Sequence, residues 1–366
     1  MEIDHLRGCA ITLTLLAHIN AAFVQPITWV SAVYAQAEFW GGVYLFFVIS
    51  GYVVTRGFWD ECADRTRPIS DVMRVFYSRR FFRIVLPAWF WIGCTLLCAG
   101  VLNIEGVLGN FRQNSIQALA AATSTYNLVF PLWSYAFGIY WSLTLEEQFY
   151  LCFPMLARVD WRTRALILIS PIVVAAFFRR PAGVFLTFIP LDALCWGVLL
   201  GLAERAGLLA RWEPRFLWHP PAALMSLTAS MLALVLIPSW LKALAPATSL
   251  MVLVCVWLVF CASFDKGYAR PIKAEWLRLI GTVSFSLYLC HCLAFLLARG
   301  VGLFVQNHWG GSPGLLSIGS VALGLLLTFV FTILSYRLIE EPARRRSRRA
   351  RFGNADSWFD PAMTNQ

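Results

Sequence analysis

Long apolar runs constrain the fold of this chain more than any other feature of its sequence. Ten runs, each bounded by charged residues or proline, are interpreted as membrane-crossing helices, since a spanning helix needs about 20 mainly apolar residues. The runs cover residues 8–26, 39–57, 82–101, 140–157, 165–178, 184–203, 218–238, 247–263, 279–298 and 314–338. The sequence therefore predicts an all-α, polytopic integral membrane protein with about ten transmembrane helices.

The composition excludes several other classes of protein. Hydrophobic residues make up 59% of the 366 residues and charged residues only 14%, whereas a soluble domain averages about 45–50% and 25%. Ten spans would use about 200 residues, which leaves little room for a separate soluble domain. A soluble enzyme, a disordered scaffold and a nucleic-acid-binding protein are excluded despite the net charge of +10. The less apolar stretch 115–132 is interpreted as an interfacial or re-entrant segment.

Lysine and arginine predict the orientation, because they concentrate in cytoplasmic loops. With a cytoplasmic N-terminus and ten alternating spans, 25 of the 30 Lys and Arg residues lie on the cytoplasmic side. Arg179 and Arg180 are an exception on the other side. We therefore predict two cytoplasmic termini, a membrane domain over residues 1–343 and a basic cytoplasmic tail over 344–366.

The cysteines suggest neither a disulfide nor a metal site. None of the ten falls clearly in a predicted outside loop, so no structural disulfide is expected. Cys290, His291 and Cys292 have ligand chemistry, but consecutive helical residues point about 100° apart and these three cannot close on one ion. We expect no bound metal.

Two polar residues of the first predicted span form a pattern, and polar residues in a membrane are functional candidates because they are costly there. Arg7 precedes His18 by eleven residues, a rise of about 16.5 Å and just over three turns, so both share one helix face. This spacing suits an elongated anionic ligand, with its charge held at the cytoplasmic edge and its reactive end at the histidine. The alternative is an interfacial anchor arginine and a histidine bonded to a neighbouring helix.

A basic pair, Arg80 and Arg83, opens the third predicted span. Its members are three residues apart and share a helix face, and a pair of guanidinium groups is a good phosphate clamp. The alternative is a purely topological role.

Adjacent carboxylates, Glu146 and Glu147, lie at the outer end of the fourth predicted span. At most one of them faces a given site, since consecutive residues diverge. A glutamate near a histidine can orient it or act as an acid or base, whereas a rim pair facing water is the alternative.

The remaining polar residues of the predicted spans are weaker candidates for the same site. Ser50 has no visible base, and the small residues Gly42 and Gly51 around it favour close helix packing. Four residues are retained as candidates for binding substrate besides Glu147: Ser50, Asp192, Tyr288 and His291.

Six segments, in order, resemble the acyltransferase-3 family of integral membrane acyltransferases, and the resemblance covers nearly the whole chain. Any one segment is weakly specific, but the ordered set is highly specific. The segments are Asp4-His5-Leu6-Arg7-Gly8 followed by His18, Phe46-Phe47-Val48-Ile49-Ser50-Gly51, Arg80 and Arg83 with Pro87, Trp141-Ser142-Leu143 with Glu146, Ser286-Leu287-Tyr288-Leu289 with His291, and Glu341-Pro342.

The resemblance implies transfer of an acyl group, usually acetyl, from cytoplasmic acyl-CoA (acetyl-CoA above all) to a hydroxyl of a cell-surface or lipid-linked glycan. It implies that Arg7, Arg80 and Arg83 hold the CoA phosphates and that His18 is a general base or a covalent acyl carrier. Glu146 would orient His18 or bind the acceptor. The expected setting is the bacterial inner membrane, with no nucleic-acid partner, an open oligomeric state and no following hydrolase-like domain.

Two other functional classes are open at this point. A polytopic transporter or flippase would use His18, Glu146 and Asp192 as a proton or substrate path. Internal repeats would favour it, and the two halves of the sequence have no convincing similarity. A non-enzymatic membrane adaptor would have no need for costly buried histidine and glutamate.

Overall fold

The computed structural model describes residues 2–128, 134–177, 190–269 and 274–349, and these residues are helical without any β-strand. The helices are α1 (Glu2–His18), α2 (Thr28–Gln36), α3 (Gly41–Ala63), α4 (Ile69–Arg80), α5 (Leu86–Val101), α6 (Phe111–Ala122), α7 (Tyr140–Arg158), α8 (Trp161–Phe177), α9 (Leu191–Arg205), α10 (Pro220–Trp240), α11 (Ala247–Ser263), α12 (Glu275–Thr282), α13 (Ser284–Trp309), α14 (Pro313–Ser335) and α15 (Glu341–Arg349). The all-α expectation is confirmed.

Each predicted span overlaps a helix within the described residues, but the helices differ in length. Among the described residues, five segments are long and apolar enough to cross a membrane: Gly41–Ala63, Ile69–Val101, Pro220–Trp240, Ser284–Trp309 and Pro313–Ser347. Helices α1, α8 and α11 have 17 residues each. Such a helix is about 25 Å long, somewhat shorter than the ~30 Å hydrocarbon layer of a bilayer. The chain is thus an integral membrane protein with at least five helices of spanning length.

Two of the long helices contain a π-helical segment. Phe81–Val85 joins α4 to α5, and Tyr336–Glu340 joins α14 to α15. A π segment interrupts the regular α-helical hydrogen bonding and is frequent at functional sites. The two helices meet at this level, where the Ser347 hydroxyl donates to the Arg79 carbonyl oxygen at 3.1 Å.

The first helix ends earlier than the apolar run 8–26 predicts. It begins at Glu2, whose carboxylate accepts the backbone N–H of Ala269 at 2.5 Å, and it ends at His18. The following turn, Ile19–Ala22, is a 3₁₀ helix whose alanines pack against Phe295. His18 therefore lies at the end of a helix and not in its middle.

Glycines allow α3 to pack closely against α9, as the small residues of the sequence predict. A Cβ atom on Gly51 would lie 2.3 Å from the Leu194 carbonyl oxygen, and one on Gly197 would lie 2.3 Å from the Val48 carbonyl oxygen. These backbones touch only because neither glycine has a side chain. The α3–α9 pair forms a fixed wall beside the site.

The stretch 115–132 begins within α6, and its buried polar side chains are hydrogen-bonded, except that the Gln117 amide nitrogen has no partner among the described residues. The Gln117 side-chain oxygen accepts from Tyr126 at 2.8 Å and from the Ser134 backbone at 2.9 Å, while Asn114 accepts from the Ser134 hydroxyl at 3.1 Å. Both amides are fully buried.

Some predicted features lie outside the described residues. They are Arg179 and Arg180, the first part of the predicted span 184–203, Arg270, Lys273 and most of the predicted tail, residues 350–366.

Candidate active site

A cavity of about 260 Å³, lined by charged and hydroxyl side chains among apolar ones, lies between α1, α3, α7, α13 and the two π segments. It brings together side chains that are far apart in the sequence. Its charged residues are Asp4, Arg7, Arg80, Arg83, Glu146, Glu340 and Arg344, and its hydroxyl groups belong to Ser50, Thr282, Ser142, Ser284, Tyr150 and Tyr288. The predicted arginines thus share one cavity with Glu146, Ser50 and Tyr288.

Two of the four arginines carry most of the unbalanced charge. Arg7 pairs with Asp4 at 3.4 Å, and Arg344 pairs with Glu340 at 3.6 Å. Neither Arg80 nor Arg83 forms an ion pair within the described part of the chain. Since guanidinium groups stay protonated, this wall of the cavity is suited to an anion.

Arg80 is held in place by aromatic rings. Its guanidinium carbon lies 4.5 Å from the Tyr150 ring centroid, 5.0 Å from Phe58 and 5.3 Å from Phe76. The side chain is 9% exposed, and its buried Nε has no hydrogen-bond partner among the residues described. A buried donor without a partner costs about 1–3 kcal/mol, so the Arg80 guanidinium keeps hydrogen-bonding capacity that the described residues do not use.

The two adjacent glutamates point into different spaces. Glu146 accepts hydrogen bonds from the Ser50 hydroxyl and, one helical turn later, from the Tyr150 hydroxyl. Glu147 accepts from the Ser124 hydroxyl and lines a neighbouring cleft of about 190 Å³, which shares Arg80, Ile84 and Tyr150 with the cavity. Glu146 is therefore the carboxylate of the cavity, and Glu147 is not brought to it.

His18 lies apart from this cavity, at the end of α1. Its Nδ1 is 2.8 Å from the Thr14 carbonyl oxygen. Its ring contacts Trp40, Tyr135 and His291, with centroid distances of 5.6, 5.8 and 5.0 Å. The expected pairing of His18 with Glu146 is not formed, because the glutamate bonds to hydroxyl groups of α3 and α7 and a backbone carbonyl orients the histidine.

Tyr288 and His291 lie between the cavity and His18. The Tyr288 hydroxyl lines the cavity, donates to the Ile139 carbonyl oxygen at 2.8 Å and lies 2.6 Å from the Ser142 hydroxyl oxygen. Its ring centroid is 5.7 Å from that of His291, which in turn stacks edgewise on His18. The structure thus connects both predicted residues to His18, although only Tyr288 lines the cavity.

Asp192 is a further predicted residue that lies elsewhere, and the cavity residues Tyr150, Glu340 and Arg344 were not predicted. Asp192 is 2% exposed on α9 and does not line the cavity. Tyr150 follows Glu146 by one turn, a spacing that could have identified it. Glu340 directly precedes the motif Glu341-Pro342, while the charge of Arg344 was attributed to topology.

The fold and the site define a class of protein: a helical membrane protein with an arginine-lined cavity inside its bundle and a histidine at the far end of the helix that carries Arg7. Residues 2–337 match the family model described as an acyltransferase domain. The chain therefore belongs to the acyltransferase-3 family, as the ordered motifs imply.

Curated relatives are similar along almost the whole chain. The peptidoglycan O-acetyltransferase OatA of Listeria monocytogenes is 25% identical over 94% of this chain, and the O-acetyltransferase OatA of Staphylococcus aureus is 24% identical over 95%. The chain spans 56% and 58% of the lengths of these two proteins. No solved structure gives a match.

Proposed function

We propose that this chain is a membrane O-acyltransferase that moves an acetyl group from acetyl-CoA to a hydroxyl of peptidoglycan or of a lipid-linked glycan. The family and the names of the relatives support the reaction and the class of acceptor. The observation that carries the proposal is the cavity in which Arg80 and Arg83 lack carboxylate partners among the described residues.

Acetyl-CoA, or another acyl-CoA, fits this arrangement as the donor. Arg80 and Arg83 bind its phosphates, and Arg7 adds a third cationic group at the start of α1. The pantetheine arm follows α1, along which Arg7 and His18 are about 16.5 Å apart in helical rise. The thioester then approaches Tyr288, His291 and His18.

The hydrogen bonding of His18 suits a general base. A backbone carbonyl can only accept, so the contact with Thr14 requires the proton on Nδ1 and leaves the lone pair on Nε2. In the proposed step, Nε2 takes the proton of the acceptor hydroxyl while the hydroxyl oxygen attacks the thioester carbonyl carbon. The carbon–sulfur bond breaks, and the imidazolium returns its proton to the CoA thiolate. Attack by Nε2 itself, giving an acyl-histidine, is the alternative path to the same products.

The proposal includes ten spans, two cytoplasmic termini and the bacterial inner membrane. The positive-inside distribution supports this topology. It assigns the cavity with Arg7 to the cytoplasmic side and the His18 end of α1 to the outer side. Trp40 and Tyr135, each 43% exposed beside His18, are then the entry for the glycan.

Reconstituted protein with acetyl-CoA labelled in the acetyl group tests the proposal. Purified full chain in proteoliposomes should transfer label to peptidoglycan fragments, and the label should be released by mild alkali as an ester. The double variant Arg80→Ala, Arg83→Ala should lose donor binding, whereas Arg74→Ala, exposed on the same α4 helix, should retain it. Absence of both binding and transfer across a panel of glycans would favour the transporter.

A further inference from the structure

Three metal-ligating side chains converge at the end of α1, apart from the arginine-lined cavity. The end of α1 supplies His18, and α13 supplies His291 and Cys292. Their ligand atoms all lie within 4.8 Å of one another, and His291 Nε2 is 3.5 Å from the Cys292 sulfur. The cluster thus combines two imidazoles and a thiol from two different helices.

Backbone contacts give both histidines the same tautomer. His18 Nδ1 lies 2.8 Å from the Thr14 carbonyl oxygen, and His291 Nδ1 lies 2.8 Å from the Tyr288 carbonyl oxygen. Because carbonyl oxygens only accept, both Nδ1 atoms carry the proton and both Nε2 atoms carry a lone pair. Metal-bound histidines show this arrangement, with the second ring nitrogen donating to a carbonyl or carboxylate.

The dimensions and the burial agree with a three-ligand site. Zinc binds histidine nitrogen at about 2.0–2.1 Å and cysteine sulfur at about 2.3 Å in a tetrahedron, so its ligand atoms lie about 3.3–3.7 Å apart. The widest separation in the cluster, up to 4.8 Å, exceeds that spacing by about 1 Å, so metal binding requires the side chains to rotate inward. His291 and Cys292 are 0% and 1% exposed, and His18 is partly buried beside Trp40 and Tyr135.

Cys290 does not belong to the cluster. Its sulfur lies 3.4 Å from the Thr332 hydroxyl and 3.7 Å from the Thr328 carbonyl oxygen, toward α14. The sequence argument against a Cys290-His291-Cys292 site therefore holds for Cys290. The third ligand comes from α1, which sequence spacing could not reveal.

We propose that His18, His291 and Cys292 bind one zinc-type divalent ion, and that the bound ion inhibits the enzyme. Imidazole and thiolate together favour Zn²⁺ or a metal of similar softness over Mg²⁺ and Ca²⁺. Binding replaces the Cys292 S–H bond by a metal–sulfur bond and releases one proton. Inhibition rests on the proposed function, because the ion occupies the Nε2 lone pair that His18 needs as a base.

Metal binding is measured on the purified, metal-free full chain in detergent, with Zn²⁺ for stoichiometry and Co²⁺ as the spectroscopic probe. We expect one ion per chain and a sulfur-to-cobalt charge-transfer band. Cys292→Ser should remove the band and weaken the affinity at least tenfold, while the matched variant Cys290→Ser should retain both. His291→Ala should also weaken binding. No bound ion, or an unchanged band in Cys292→Ser, would overturn the site.

Transfer assays then separate this proposal from the proposed function. Zn²⁺ should inhibit acetyl transfer by the wild-type chain. In metal-free buffer Cys292→Ser should transfer at the wild-type rate, and Zn²⁺ should inhibit it much less. Zinc binding without any transfer would contradict the proposed function and leave the site intact. Active enzyme that Zn²⁺ binds at this site without inhibiting would contradict the inhibition.

Discussion

Replacement of Arg80 by alanine should weaken acetyl-CoA binding about ten- to hundredfold. Arg80 lines the cavity, and no ion pair within the described residues competes for its charge. The full gain of a charge-assisted hydrogen bond, about 1.5–3 kcal/mol, is therefore available to a phosphate. Since each 1.4 kcal/mol changes Kd tenfold, the loss should be about one to two orders of magnitude. Arg7 already pairs with Asp4, so Arg7→Ala should weaken acetyl-CoA binding less than Arg80→Ala does.

A truncated donor makes this prediction specific for phosphate. Calorimetry on the purified chain would compare acetyl-CoA with S-acetyl-pantetheine, which lacks the phosphates. The loss of affinity caused by Arg80→Ala should vanish with the truncated donor. In a double-mutant cycle this is the result expected when Arg80 interacts with the phosphates. The variant also loses stacking on Tyr150 and Phe58, so its melting temperature must be measured in parallel. An equal loss with both donors, or a Kd within twofold of wild type, would refute the assignment.

Two further predictions concern packing and the paired carboxylates. Gly51→Ala should destabilise the chain by about 1–3 kcal/mol through overpacking against α9, whereas Gly57→Ala, whose added Cβ meets no atom within 4 Å, should leave the stability unchanged. Thermal unfolding in detergent measures both variants, and equal melting temperatures would argue against the close contact. Glu146→Gln should reduce the rate of acetyl transfer about tenfold or more, because it replaces the carboxylate that accepts hydrogen bonds from Ser50 and Tyr150. The rate of Glu147→Gln should stay within twofold of wild type. The reverse order in initial-rate assays would mean that the wrong glutamate is assigned.

Local patterns in the sequence predicted much of the helical framework. Within the described residues the apolar runs overlap helices, and Arg7 and His18 both lie within α1. Both features depend on helical periodicity alone, so one sequence suffices to predict them. Arg80 and Arg83 also line one cavity, although Arg83 lies in a π segment.

Contacts between helices were harder to predict from the sequence. The pairing of His18 with His291 depends on how α1 packs against α13, and the separation of Glu146 from Glu147 depends on which helices surround α7. The π segments carry Arg83 and Glu340, and nothing in the apolar pattern marks where they occur. The early end of α1 was missed because the following residues remain apolar while they form a 3₁₀ turn.

Acetyl transfer by His18→Ala tests the central claim most directly. The assay uses purified chain in proteoliposomes, labelled acetyl-CoA and peptidoglycan fragments, with His219→Ala, an exposed histidine at the start of α10, as the matched control. Loss of the general base should reduce transfer by about 10²–10⁴-fold, while the acetyl-CoA Kd stays within threefold and His219→Ala remains fully active. Transfer by His18→Ala at the wild-type rate would contradict the account.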